Sequence, residues 1–407
     1  MSQLCALPAV PPEILALILL QLPDLKSLHA ASTSCWAFNN ALHISRRSIT
    51  EQVLCTQIGS DVLPEAIAAD ETSTSTFIPS RQSIGQLMSH LKQRRATKQP
   101  SSLDRVHRMA HFHRTVQDLT DSFVNVVLTT AGTYPNSTHL ELTPRERQRI
   151  ERGFYLFQIY CNLFANARTP WSKHRIFFLS FAPWEVEQLS CIHDFLARLV
   201  SAVFGDVVRQ DELRGRYGLE YDQCVGSPVV EHILSLGLTK FHWLCQTDSY
   251  TDRFSVLYSG TGIVSNTRFF PAAPEMHKAE MSEGPPPDSL DGFERAGRTA
   301  LFPDPDPGPG YAYAWIDNLE VAEEIGSVAC AGRAECIRSR GYVMRDNCGL
   351  FQESVHREYY EKLLYFIACA KGLRAAYMQN AVAMRKKTFG KKSLEIADQK
   401  ESKLMRS

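Results

Sequence analysis

The chain has 407 residues, 44% of them hydrophobic and 22% charged, which describes a folded chain long enough for two or three ordinary domains. Its 44 Lys and Arg residues equal its 44 Asp and Glu residues, so the total charge offers no general attraction to nucleic acid or acidic membranes. Eleven cysteines, odd in number and widely scattered, fit reduced thiols better than a secreted disulfide framework.

Met1-Ser2-Gln3-Leu4 lacks the positive charge that precedes the apolar core of a signal peptide. The uncharged stretches between Glu13 and Asp24 and between Arg175 and Glu185 are too short to span a membrane. The expectation is a soluble protein of the cytoplasm or nucleus, with neither membrane nor nucleic acid as a partner.

The first element is "VPPEILALILLQLPDL", residues 10–25. Pro11-Pro12-Glu13 favours a helix start, because proline suits the first turn and a carboxylate suits the positive helix end. Leu22-Pro23-Asp24 ends it. Between them Ile14, Leu15, Leu17, Ile18, Leu19 and Leu20 make a helix apolar on nearly every side, which therefore has to be buried on several faces. A second helix is predicted from Leu25 to about Ala31 and a third from Ser34 through Phe38 to Leu42, a unit too small to hold a strong core alone.

Residues 49–102 read as a linker region, rich in Ser and Thr at "ADETSTSTFIPS" (69–80) and polar again at "QRRATKQPSS" (93–102). From Leu103 to Thr130 a helical stripe of Val106, Met109, Phe112, Val116, Leu119, Phe123 and Val127 resumes. The best-marked helix follows Thr143, the N-cap, with Pro144 in the first position and Glu146 closing a capping box. Its inward stripe is Ile150, Phe154, Phe157, Cys161 and Phe164. Another helix begins at Pro183 and carries Val186, Leu189, His193, Leu196, Leu199 and Val203. "SPVVEHILSLGL" is a short helix opened by Ser227-Pro228 and ended by Gly237.

Residues 253–270 allow one small β-hairpin around a Gly-containing turn. Residues 282–310 are proline-rich and read as a surface loop, 315–336 resume helical patterning, and 354–386 read as a long final helix. Residues 385–407 form a basic tail, with eight Lys or Arg against three Asp or Glu.

The N-terminal residues resemble the F-box, the module that joins substrate receptors to Skp–cullin–F-box ubiquitin ligases. The family pattern is Leu-Pro-x-Glu-Ile-Leu, then Ile-Leu, then Leu-Pro, a leucine-rich second helix, and a Cys before an aromatic residue. Here it runs Val10-Pro11-Pro12-Glu13-Ile14-Leu15, Ile18-Leu19, Leu22-Pro23, Leu25 with Leu28, and Cys35 with Phe38. It departs from the pattern at Val10, Ala31 and Ser34. The match covers about a tenth of the chain and spans all three helices. "APWEVEQL" and "RSRGYVMRD" are also similar to segments of F-box proteins of filamentous fungi.

The resemblance implies an F-box at 5–48, followed by an α-helical substrate-binding domain at 103–384. The fold class expected is predominantly α, a three-helix F-box with a larger irregular helical domain. The adaptor-binding residues implied are Val10, Pro11, Ile14, Leu15, Ile18, Leu19, Leu22, Pro23, Leu25 and Leu28. Partners would be a Skp-type adaptor, cullin through it, and a protein target; the alternative is an F-box scaffold acting outside a ligase.

Catalytic and metal-binding patterns are weak. Asp104, His107 and His111 share a helix face at a spacing that can hold a metal, and ordinary histidines are the simpler reading. Cys330, Cys336 and Cys348 lack close Cys-x-x-Cys pairs. Ser259-Gly260-Thr261-Gly262 lacks the context and third glycine of a dinucleotide loop. Cys191 and His193 lie within an apolar helix, and no Gly-x-Ser-x-Gly occurs. The expectation is a non-catalytic chain with no metal and no cofactor.

Overall fold

In the computed structural model, Pro11 stands at the N-cap and Pro12 at the first turn of α1, Pro12–Leu20, with Glu13 near its positive end. Asp24 caps α2, Leu25–Ser34, by accepting from the Ser27 backbone N–H at 2.6 Å, and this bond holds its carboxyl below the usual range. Helix α3, Trp36–Ile44, completes the three predicted N-terminal helices. The structure describes residues 10–93, 102–131, 142–165, 169–214, 228–258, 269–270, 338 and 341–344. All of them fall in one compact unit, Met1–Glu323 with Ile337–Asp346.

Residues 49–92, expected as linker, instead hold three helices, with non-helical chain at 59–62 and 74–80. The helices are α4, Arg46–Ile58, α5, Leu63–Ser73, and α6, Arg81–Lys92. Helix α4 also crosses the expected F-box boundary at 48. Of the Ser- and Thr-rich run 69–80 only 69–73 is helical. Ala66, Ala68 and Ala69 of that helix are buried, and their small side chains let it approach a neighbour closely. The Thr72 hydroxyl, also buried, donates back to the Ala68 carbonyl at 2.8 Å and so needs no water.

That neighbour is α8, Pro144–Phe164, which packs against α5, against α7, Leu103–Ala131, and against α10, Pro183–Arg214. The expected capping box is formed: the Glu146 N–H donates to Thr143 Oγ1 at 3.1 Å and the Thr143 N–H to Glu146 Oε2 at 2.9 Å. Its five-residue apolar stripe is buried as read, but burial extends round the helix to Arg149, Glu151 and Arg152. Arg147 pairs with Glu151 at 3.2 Å and Arg152 with Glu65 of α5 at 3.6 Å. Gly153 allows α10 near, since a Cβ there would stand 3.0 Å from Ile192.

Shorter helices close the unit: α9, Trp171–Phe178, α11, Pro228–Ser235, α12, Leu238–Gln246, and α13, Tyr250–Tyr258. The first arm of the expected hairpin is therefore helical, and residues 259–268 lie outside the described ones. No strand occurs among the described residues, and the fold is predominantly α as expected. A 3₁₀ turn at Tyr342–Met344, within "RSRGYVMRD", docks on α8 and α10. There Gln188 donates to the Val343 carbonyl at 3.0 Å and Arg149 to the Met344 carbonyl at 2.6 Å. The expected proline-rich loop, the helices at 315–336 and 354–386, and the basic tail lie outside the described residues.

Candidate adaptor-binding surface

At 100° per residue, α1 divides its apolar side chains between two faces. Leu15 and Leu19, one turn apart, point inward and are 2% and 0% exposed. Ile14, Leu17 and Ile18, spaced three and four apart, form the other face and remain 47%, 56% and 45% exposed. The inward face joins Leu28, Ala37, Ala41, Ile49 and Val53 in one cluster, with Val10, Leu22, Leu25, Phe38 and Leu42 packed at its edge. The cluster thus draws on α4 as well as the three predicted helices. Gln57 of α4 also accepts from the Leu25 N–H at 3.3 Å.

The ten expected adaptor contacts therefore separate. Pro11, Ile14, Ile18 and Pro23 are exposed; Val10, Leu22 and Leu25 are half-buried. Leu15, Leu19 and Leu28 are interior, so they hold this module together and present no surface of their own. Their burial has a simple cause: α3 and α4 both pack on α1 and on α2, and small Ala37 and Ala41 leave room for leucine between the helices. Three further exposed apolar residues lie outside the expected ten. Leu17 belongs to the α1 stripe, and Trp36 and Ile44, 76% and 66% exposed, lie about two turns apart on α3. Their eight-residue separation was the available signal.

Magnitudes limit what this surface can do. With roughly half of each α1 side chain still exposed, covering the stripe contributes about 2–5 kcal/mol gross. Association costs about 4–15 kcal/mol. Adding Trp36 and Ile44 raises the gross gain to about 4–8 kcal/mol, so a stable complex would need both helices and polar contacts beside them.

Elsewhere, His193 has two carboxylate partners and, among the described residues, no cysteine partner. Its Nε2 meets Glu231 Oε1 at 2.9 Å and its Nδ1 meets Asp194 Oδ1 at 3.2 Å. Burial opposes protonation, yet these bonds prevail and raise its pKa to about 9. Burial pushes the Cys191 thiol well above its ordinary value, the reverse of an activated nucleophile. Asp104, His107 and His111 form no metal-holding group among the described residues. Cys330, Cys336 and Cys348 lie outside them. No helix among the described residues is long and apolar enough to cross a membrane. Compared with protein-family models, curated proteins and solved structures, the chain matches none.

Proposed function

We propose that the chain is the substrate-recognition subunit of a Skp–cullin–F-box ubiquitin ligase. The single observation that carries the reading is the divided α1 helix, whose inner face is sealed by Leu15 and Leu19 while Ile14, Leu17 and Ile18 stay open. A short helix with one face in its own core and a second apolar face uncovered is suited to completion by another polypeptide. The Pro11-to-Phe38 sequence pattern supports the choice of a Skp-type adaptor as that polypeptide.

In this reading the chain has no catalytic side chain. It holds a target near the ubiquitin-charged enzyme, and the reaction gains from effective concentration. Helix α4 suits the task, because it packs on α1, α2 and α3 and also on α7, tying the adaptor-facing module to the larger helical body.

The test is tagged pull-down with mass spectrometry, comparing the unmodified chain with Leu17→Asp plus Ile18→Asp. Both positions are exposed, so the variant should stay folded. Adaptor and cullin should disappear from the double variant while other partners remain. Equal capture by both forms would refute the surface. Capture of adaptor without cullin would place the chain among F-box scaffolds acting outside a ligase.

A further inference from the structure

Helices α5, α7, α8 and α12 enclose a half-open cavity of about 240 Å³. Its walls are largely apolar, formed by Ala66 and Ala69 of α5, Met109 and Phe112 of α7, and Tyr155 of α8. An apolar cavity of about 150 Å³ admits benzene. The space here accepts one aromatic ring or branched aliphatic side chain, and is smaller than the roughly 300–1,000 Å³ of pockets for drug-sized ligands.

A second cleft, of about 300 Å³, shares Asp70 and Arg108 with the first and adds Arg105, Thr74, Thr76 and Phe77. The two charges at the shared edge are not equivalent. The Asp70 side chain is 7% exposed, and both its oxygens are engaged: Oδ2 accepts from Arg105 Nε at 2.6 Å and Oδ1 from Arg108 Nη2 at 3.2 Å. Arg108 is 56% exposed and makes that one hydrogen bond among the described residues, which leaves most of its five donors unused. Glu71, the other carboxylate of the cleft, faces Arg105 at 3.5 Å. One turn beyond Arg108, exposed His111 also lines the cavity, with Arg114 Nη2 3.4 Å from its Nδ1. The join therefore offers the unused donors of Arg108 to a newcomer, while its carboxylates are already paired.

We propose that the two clefts are a recognition site for an extended acidic peptide segment. One aromatic or branched apolar side chain enters the cavity, and a neighbouring carboxylate binds Arg108. The proposal rests on the substrate-receptor reading and names the chemistry of the target. A cavity sized for a single side chain, beside donors suited to a carboxylate, favours a peptide of this kind over a larger apolar ligand.

The test is fluorescence anisotropy on the purified full-length chain with three labelled synthetic peptides. One has a central phenylalanine flanked by glutamates; the second has alanine in place of the phenylalanine; the third has lysines in place of the glutamates. The first should bind at least about tenfold more tightly than the others. Ser73→Trp and Thr239→Trp, at exposed lining positions on different helices, should each obstruct the cavity. Arg108→Glu should reverse the charge at the join. Each should weaken the first peptide by about tenfold or more. The two tryptophan variants should keep the melting temperature, whereas Arg108→Glu also strands Asp70 Oδ1 and is compared at a temperature where it is folded. No binding of the acidic phenylalanine peptide, equal binding of the lysine peptide, or equal affinity across the folded variants would overturn the proposal. Adaptor capture is measured on the same preparations. If the unmodified chain captures no adaptor the ligase reading falls, whereas the peptide result still decides what the cleft binds.

Discussion

Arg338 grips Glu187 through two parallel hydrogen bonds, Nε to Oε1 at 2.7 Å and Nη2 to Oε2 at 3.0 Å, across 151 positions of sequence. The guanidinium also lies 3.6 Å from Asp194. Both members of the pair are mostly removed from solvent, so deleting one leaves the other charge poorly compensated. Glu187→Ala should cost about 3–5 kcal/mol, measured by urea denaturation. The double variant Glu187→Ala, Arg338→Ala should recover part of that loss, because neither charge is then stranded. A single-variant cost below about 1 kcal/mol would mean that the pair behaves as an exposed one.

Three histidines should give stability a pH optimum. His193 has its folded pKa raised to about 9 from an ordinary 6.5, so its contribution is full below 6.5 and is lost as pH rises through 9. Burial lowers His113 and His174 to about 4, so their contribution is full above 6.5 and is lost as pH falls through 4. As far as these groups decide it, stability peaks near pH 6.5 and falls on both sides. The alkaline limb is on the order of 3 kcal/mol. His193→Gln should flatten that limb in urea titrations between pH 6.5 and 9 and leave the acid limb in place. An unchanged alkaline slope would contradict the role given to His193.

Gly237 is held by conformation and by space together. Its φ is +87°, and a Cβ there would stand 2.8 Å from Gln158 Nε2. That same amide is in use, since Gln158 Oε1 accepts from the Leu238 N–H at 2.7 Å at the start of α12. Gly237→Ala should therefore cost more than about 1 kcal/mol, combining left-handed strain with displacement of Gln158. The drop in melting temperature checks it. Because Gln158 also lines the cavity beneath α5 and α7, the variant should weaken the acidic phenylalanine peptide as well.

The sequence made some of this plain and hid the rest for physical reasons. Thr143 and Glu146 were readable because a capping box is settled within four residues. The full burial of α8 was not, because Arg152 finds Glu65 and Arg149 finds Met344 far away in sequence, and periodicity reports only the apolar face. Helix α5 was missed because alanine and a back-bonded threonine look like linker composition while packing like core. In α1 the excess of apolar surface was legible, but its division was not: α3 and α4 decide which leucines turn inward.

That division yields the sharpest comparison, between two leucines two positions apart. Leu19 is fully enclosed by the cluster that includes Leu28, Ala41 and Val53, and Leu19→Ala should cost about 2–5 kcal/mol through lost burial and the cavity left behind. Leu17 is more than half exposed, and Leu17→Ala should change stability by no more than about 0.5 kcal/mol. On the proposed reading, adaptor capture should reverse the order among folded molecules: Leu17→Ala should weaken it directly, whereas Leu19→Ala should act only in proportion to the fraction unfolded. Urea titration and adaptor binding, measured on both variants at a temperature where each is folded, separate the two roles. If Leu17→Ala proved as destabilising as Leu19→Ala while binding adaptor normally, the open face of α1 would belong to this chain's own interior.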